Sequence, residues 1–73
     1  MVDVVKVADE ANFIVNGYAF TLKVNHIYVL NLNKPSKASV LDLDGLVLET
    51  TMDDIELKIV QKYLADNKKY MEV

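Results

Sequence analysis

The sequence predicts a small α+β domain, a mainly antiparallel sheet of about five strands with one C-terminal helix packed on one face. Three observations carry that prediction. Asn16-Gly17 and Asp44-Gly45, two dipeptides that favour tight hairpin turns, each lie between short apolar runs. Residues 53–69 repeat apolar side chains at helical rather than strand spacing. A sheet with one apolar face and one amphipathic helix then satisfy each other by packing together. The chain, 1–73, reads as a single domain with its strands within 2–50 and its helix over about 52–69.

The first strand is expected over Val2 to Ala8, a stretch rich in β-branched residues that Asp9 and Glu10 interrupt. Asn12 to Val15 and Tyr18 to Val24 flank Asn16-Gly17, so a two-residue loop sets Val15 opposite Tyr18 and Phe13 opposite Phe20. Leu22 and Val24 share that face, while Ile14, Ala19, Thr21 and Lys23 point the other way. A turn at Asn25-His26 would pair Val24 with Ile27 and Leu22 with Val29, leaving Tyr28, Leu30 and Leu32 on the opposite face. The connection 33–37 is polar with Pro35 in a natural turn position. Ser39 to Leu43 and Leu46 to Thr50 form the second hairpin, with Leu43 against Leu46 and Leu41 against Leu48. Val40, Asp42, Val47 and Glu49 occupy its other face.

The helix start is written in two registers. Asp53 as N-cap places Glu56 at the third helical position and lets Met52 staple onto Leu57; Thr51 as N-cap gives Asp54 that third position. Lys68 and Lys69 complement the far end of the dipole, and Met71 to Val73 form a short tail. The helical stripe Ile55, Ile59, Val60, Tyr63 and Leu64, with Leu57 at its margin, is expected to meet Phe13, Phe20, Leu22, Leu41 and Leu48 in a helix–sheet core.

Composition narrows the function. The hydrophobic fraction of 52% and charged fraction of 26% are those of a folding chain. A chain this short buries only about 60% of its unfolded surface, and small domains often add disulfides or a structural metal. With no cysteine and one histidine, His26, neither is expected here, nor is any cofactor. The net charge is −3 and every basic residue is a lysine, so direct nucleic-acid binding is not expected. No secretion signal or apolar run of about 18 residues is evident, so the expectation is a cytoplasmic protein without a membrane segment.

One motif points to chemistry. Val40-Leu41-Asp42-Leu43-Asp44-Gly45, followed by Thr50, resembles the first motif of the haloacid-dehalogenase phosphatase superfamily, a hydrophobic strand ending in Asp-x-Asp-Gly. The resemblance implies Asp42 as nucleophile, Asp44 as general acid and Mg²⁺ nearby. That chemistry also needs a phosphate-binding hydroxyl, a lysine and a further acidic pair on later strands. The 23 residues after Thr50 read as one helix, and an Asp-Gly turn between alternating leucines accounts for the same letters.

Other candidates are single residues: His26 beside a turn, Lys34 and Lys37 around Pro35, and the acids Asp42, Asp44, Asp53 and Asp54, which follow no metal-loop spacing. The expectation is therefore a non-enzymatic interaction or regulatory module with no catalytic or metal-binding residues. A phosphatase-like enzyme and an acidic accessory factor acting on nucleic-acid-binding proteins are the alternatives. With no second helix expected to cover the outer sheet face, Ile14, Tyr28, Leu30, Leu32, Val40 and Val47 are the expected interface of a homo-oligomer, most simply a dimer, with an unknown protein partner besides. An edge-paired dimer through Val2 to Ala8 or the Val40 strand is the alternative geometry.

Overall fold

The computed structural model describes residues 3–67. Its elements run α1 (Val4–Glu10), β1 (Phe13–Val15), β2 (Tyr18–Lys23), β3 (His26–Asn31), β4 (Ala38–Asp42), β5 (Val47–Thr50) and α2 (Asp54–Asn67). Each strand connects to the next by a short turn or loop, so the five strands form an antiparallel meander in sequence order. This is the α+β architecture the sequence predicts, with one addition at the N-terminus.

That addition corrects the first strand. Residues expected to be extended form the helix α1, capped by Asp3, whose carboxylate accepts from the Lys6 N–H at 3.1 Å. The valines have strand propensity, but Val4, Val7 and Ala8 recur at helical spacing and are half-buried, with α1 packing against β2. Burial of this stripe overrides the propensity.

At the first hairpin, Asn16 and Gly17 both take positive φ, and Val15 faces Tyr18 while Phe13 faces Phe20. The two phenylalanine rings stack with centroids 4.6 Å apart. At the second turn, the loop residues are Val24 and Asn25, both at positive φ, in place of Asn25 and His26. Leu22 therefore faces Ile27, and Phe20 faces Val29. Because this register differs from the expected one by two residues, the strand side chains keep their expected faces, but Val24, expected on the inner face, lies exposed in the turn.

The hairpin at Asp44-Gly45 departs further. Its loop has three residues, Leu43, Asp44 and Gly45, closed by bonds from Gly45 N–H to the Asp42 carbonyl and from Asp42 N–H to the Leu46 carbonyl. Gly45, at φ 88°, supplies the left-handed residue that such loops require. The extra residue sets Val47 rather than Leu48 opposite Leu41, and an irregularity at Leu48 restores the expected pairing of Val40 with Glu49. Val47 thus packs on the helix side, whereas Leu43, Leu46 and Leu48 are exposed.

The core lies between the sheet and α2. It is built from Phe20, Ile27, Val29, Leu41, Met52, Val60 and Leu64, with Phe13, Tyr18, Leu22, Val47, Leu57 and Tyr63 packed around it. Asp53 caps α2 by accepting from the Glu56 N–H at 2.8 Å, and Met52 and Leu57 both join the core. Two members of the expected stripe do not: Ile55 is 74% exposed and Ile59 is also exposed. The helix is rolled so that Glu56 and Leu57 turn inward in their place. Lys68, Lys69 and the tail Met71 to Val73 lie outside the described residues.

Two outcomes check this fold. Leu64→Ala, at a buried core position, is expected to cost about 2–5 kcal/mol in chemical denaturation, and Ile55→Ala is expected to be nearly silent. A Cβ at Gly17 would meet the Asn33 amide nitrogen at 2.7 Å on a backbone at φ 82°. Gly17→Ala should therefore cost on the order of 1–3 kcal/mol.

Candidate functional site

The two faces of the sheet are covered unequally. α2 spans the inner face, while the seven-residue α1 packs on β2 at the outer one. On β2 Ala19 is fully buried, yet on the adjacent strand β3 Tyr28 is 44% exposed. Between α1 and the open strands runs a groove of about 420 Å³. Val7 and Glu10 of α1 form one wall. Thr21 and Lys23 of β2, Tyr28 and Leu30 of β3, and Ala38 and Val40 of β4 line the rest. The lining is mostly apolar, with Lys23 and Glu10 both exposed. Convergent apolar walls carrying a few polar groups are the usual make-up of a binding site.

Three polar side chains are buried in the described structure: Thr21, Asn31 and Ser39. Ser39 shares a 2.7 Å hydrogen bond with Thr50. Asn31 donates to Glu56 at 3.0 Å and its carbonyl oxygen accepts from the Asn33 and Lys34 N–H groups, which shapes the β3–β4 loop. The Thr21 hydroxyl has no partner among the described residues. Nor is it sealed from solvent, since no fully enclosed side-chain polar atom is left without a hydrogen bond. It sits in the groove lining.

The expected interface residues divide accordingly. Tyr28, Leu30 and Val40 meet in the groove, although Leu30 is buried rather than displayed. Ile14 is exposed on β1 and Leu32 is half-buried in the β3–β4 loop, neither of them in the groove lining. Val47 belongs to the opposite face. The expectation that no second helix covers the outer face is overturned by α1. Sequence reading missed α1 and with it the groove; the available signal was Asp3 ahead of apolar residues at positions 4, 7 and 8.

On the inner face, a polar junction joins α2 to the sheet. The Tyr18 hydroxyl donates to Glu56 Oε2 at 2.7 Å, beside the Asn31 bond to the same oxygen. The Asn16 amide donates to the Tyr63 hydroxyl at 2.8 Å, and the Tyr18 and Tyr63 rings lie 6.1 Å apart. Partial burial, then the hydrogen bond and charge of Glu56, push the Tyr18 hydroxyl from its ordinary 10.0 up to about 12. Lys34 and Lys37 border a shallower hollow here with Ile55 and Ile59, and the Lys37 ammonium donates to the Thr51 carbonyl.

Two of the acidic candidates, Asp42 and Asp53, serve local structure. Asp42 Oδ1 accepts from the Asp44 and Leu46 N–H groups at 2.8 and 2.9 Å, so this carboxylate organises the β4–β5 loop. Asp53 caps α2. Among the described residues, no group of three or more His, Asp or Glu side chains is placed to hold a metal ion. His26 is the cross-strand neighbour of Asp42. No helix among the described residues is long and apolar enough to cross a membrane.

A five-stranded meander with an inner helix, a short outer helix and a groove beside it defines a small α+β class of domain. Within that class the chain belongs to the family of unknown function DUF7723, whose profile matches residues 1–71. No curated protein and no solved structure matches the chain.

The Tyr18 shift has a measurable consequence. Because the folded hydroxyl holds its proton more tightly than the ordinary tyrosine, its contribution to stability is fully present below about pH 10. It is lost as pH rises through about 12. Denaturation across that window should show a decline that is shallower in Tyr18→Phe than in wild type.

Proposed function

We propose that this protein is a non-enzymatic interaction module that works as a two-fold homodimer through the uncovered half of its outer sheet face. The observation that carries the reading is the unequal coverage: α1 shelters Ala19 and Thr21, and Tyr28 stands exposed beside the half-buried Val40. Apolar side chains on an open sheet face are covered at least cost by the same face of another copy, the isologous arrangement common among small oligomers.

Face packing is favoured over edge pairing by the edges themselves. One edge strand, β1, has three residues; the other, β5, is interrupted at Leu48 and carries Glu49. Short or bulged edges with charged side chains make poor templates for another strand. The tie between Asp42 and its own loop supports a structural rather than nucleophilic role for the Asp-x-Asp-Gly segment.

Light scattering over a micromolar concentration series tests the reading, and a dimer mass is the expected result. Tyr28→Lys should shift the species to monomer while leaving the inner core folded. A monomer mass for wild type throughout the series would refute the dimer.

A further inference from the structure

We propose that the outer-face groove is a binding site for a small, mainly apolar carboxylic acid. The inference concerns the groove of a single copy, whose Tyr28 and Val40 also belong to the face proposed for the dimer. Its starting point is Thr21, 7% exposed and the one buried polar side chain of the described structure whose hydroxyl meets no partner. That hydroxyl opens on the groove rather than onto a protein group, so a ligand oxygen placed against it can take the place of water.

The groove dictates the rest of the ligand. Its volume of about 420 Å³ falls within the range of small-molecule pockets, and Val7, Tyr28, Leu30 and Val40 offer apolar surface to an alkyl or aryl body. The polar end is set by Lys23, which pairs with no carboxylate among the described residues. Thr21 and Lys23 lie two residues apart on β2 and so share one face of the strand. One carboxylate can accept from both, with one oxygen on the Thr21 O–H and the other on the Lys23 ammonium. Glu10, also in the groove lining, would favour a cation instead, but no buried hydroxyl lies beside it on α1 to complete such a site.

The test is a two-dimensional amide NMR titration of the full chain with decanoate and, separately, with decylamine. Decanoate is expected to give saturable shifts at Val7, Thr21, Tyr28, Leu30 and Val40. Thr21→Val and Lys23→Gln should each weaken binding about tenfold, as expected for losing one hydrogen bond to a charged group. Lys23 is exposed, so its variant keeps the fold and remains decisive if Thr21→Val is damaged. The proposal is overturned by the absence of saturable shifts, by either variant binding as tightly as wild type, or by decylamine binding as tightly as decanoate. Light scattering on the same samples separates this result from the dimer: a monomer that binds decanoate refutes only the dimer, and a dimer that ignores decanoate refutes only the ligand site.

Discussion

The carboxylate of Glu56 receives hydrogen bonds from Tyr18 and Asn31, and two otherwise unconnected features of the fold follow from that junction. The first is the roll of α2. Bringing Glu56 onto the sheet turns Leu57, Val60 and Leu64 inward with it and leaves Ile55 and Ile59 in solvent, although a purely apolar stripe would have centred on those isoleucines. The second is the register of β2 on β3, which sets Tyr18 directly opposite Asn31 so that both reach one oxygen. That register forces the turn onto Val24 and Asn25. Val24 then sits at φ 48° with 88% of its surface exposed, a conformation that disfavours a β-branched residue. A left-handed residue costs about 1–2 kcal/mol. Two hydrogen bonds to a charged acceptor, at about 1.5–3 kcal/mol each, are enough to hold the strand in place against it.

The outer face obeys a different constraint, because it has only a seven-residue helix to cover it. α1 has room for one apolar stripe and packs on β2, so the β3–β4 side is left with Tyr28 exposed and Val40 half-buried. The boundary between covered and bare sheet is where the groove forms, and Thr21 falls on it. Ala19 and Leu30, directly across from it, are both buried on this face. The working surface is thus a product of a helix too short for its sheet.

How much of this was legible in the sequence depended on whether the signal was local. Asn16-Gly17 determined its hairpin completely, because turn chemistry and strand pairing agree there. The helix start was readable in two registers, and the structure takes the one with Asp53 as cap and Met52 in the core. Asp44-Gly45 announced a turn but not its length. The third loop residue is selected by Asp42, whose carboxylate binds two N–H groups of its own loop, and this moves Val47 inward and Leu48 outward. The roll of α2 was illegible for a tertiary reason: hydrophobic periodicity gives a glutamate no weight as an inward-facing residue, and only the positions of Tyr18 and Asn31 make Glu56 one. The helix at α1 was hidden by composition, since three of its seven residues are valines and only burial of one stripe outweighs their strand preference.

The same reasoning bears on the candidate site. The sequence brought Tyr28, Leu30 and Val40 to one face by parity alone, and they do share that face. Parity could not show that α1 would cover half of it, nor that Thr21 would be buried without a partner. A threonine at an outward position of a strand normally bonds water, so its letter carries no signal. What makes Thr21 informative is the contrast with Asn31 and Ser39, which lie at similar depth and are fully engaged. A fold that ties its other buried polar side chains to protein partners and opens one hydroxyl on a groove leaves that hydroxyl available to a ligand.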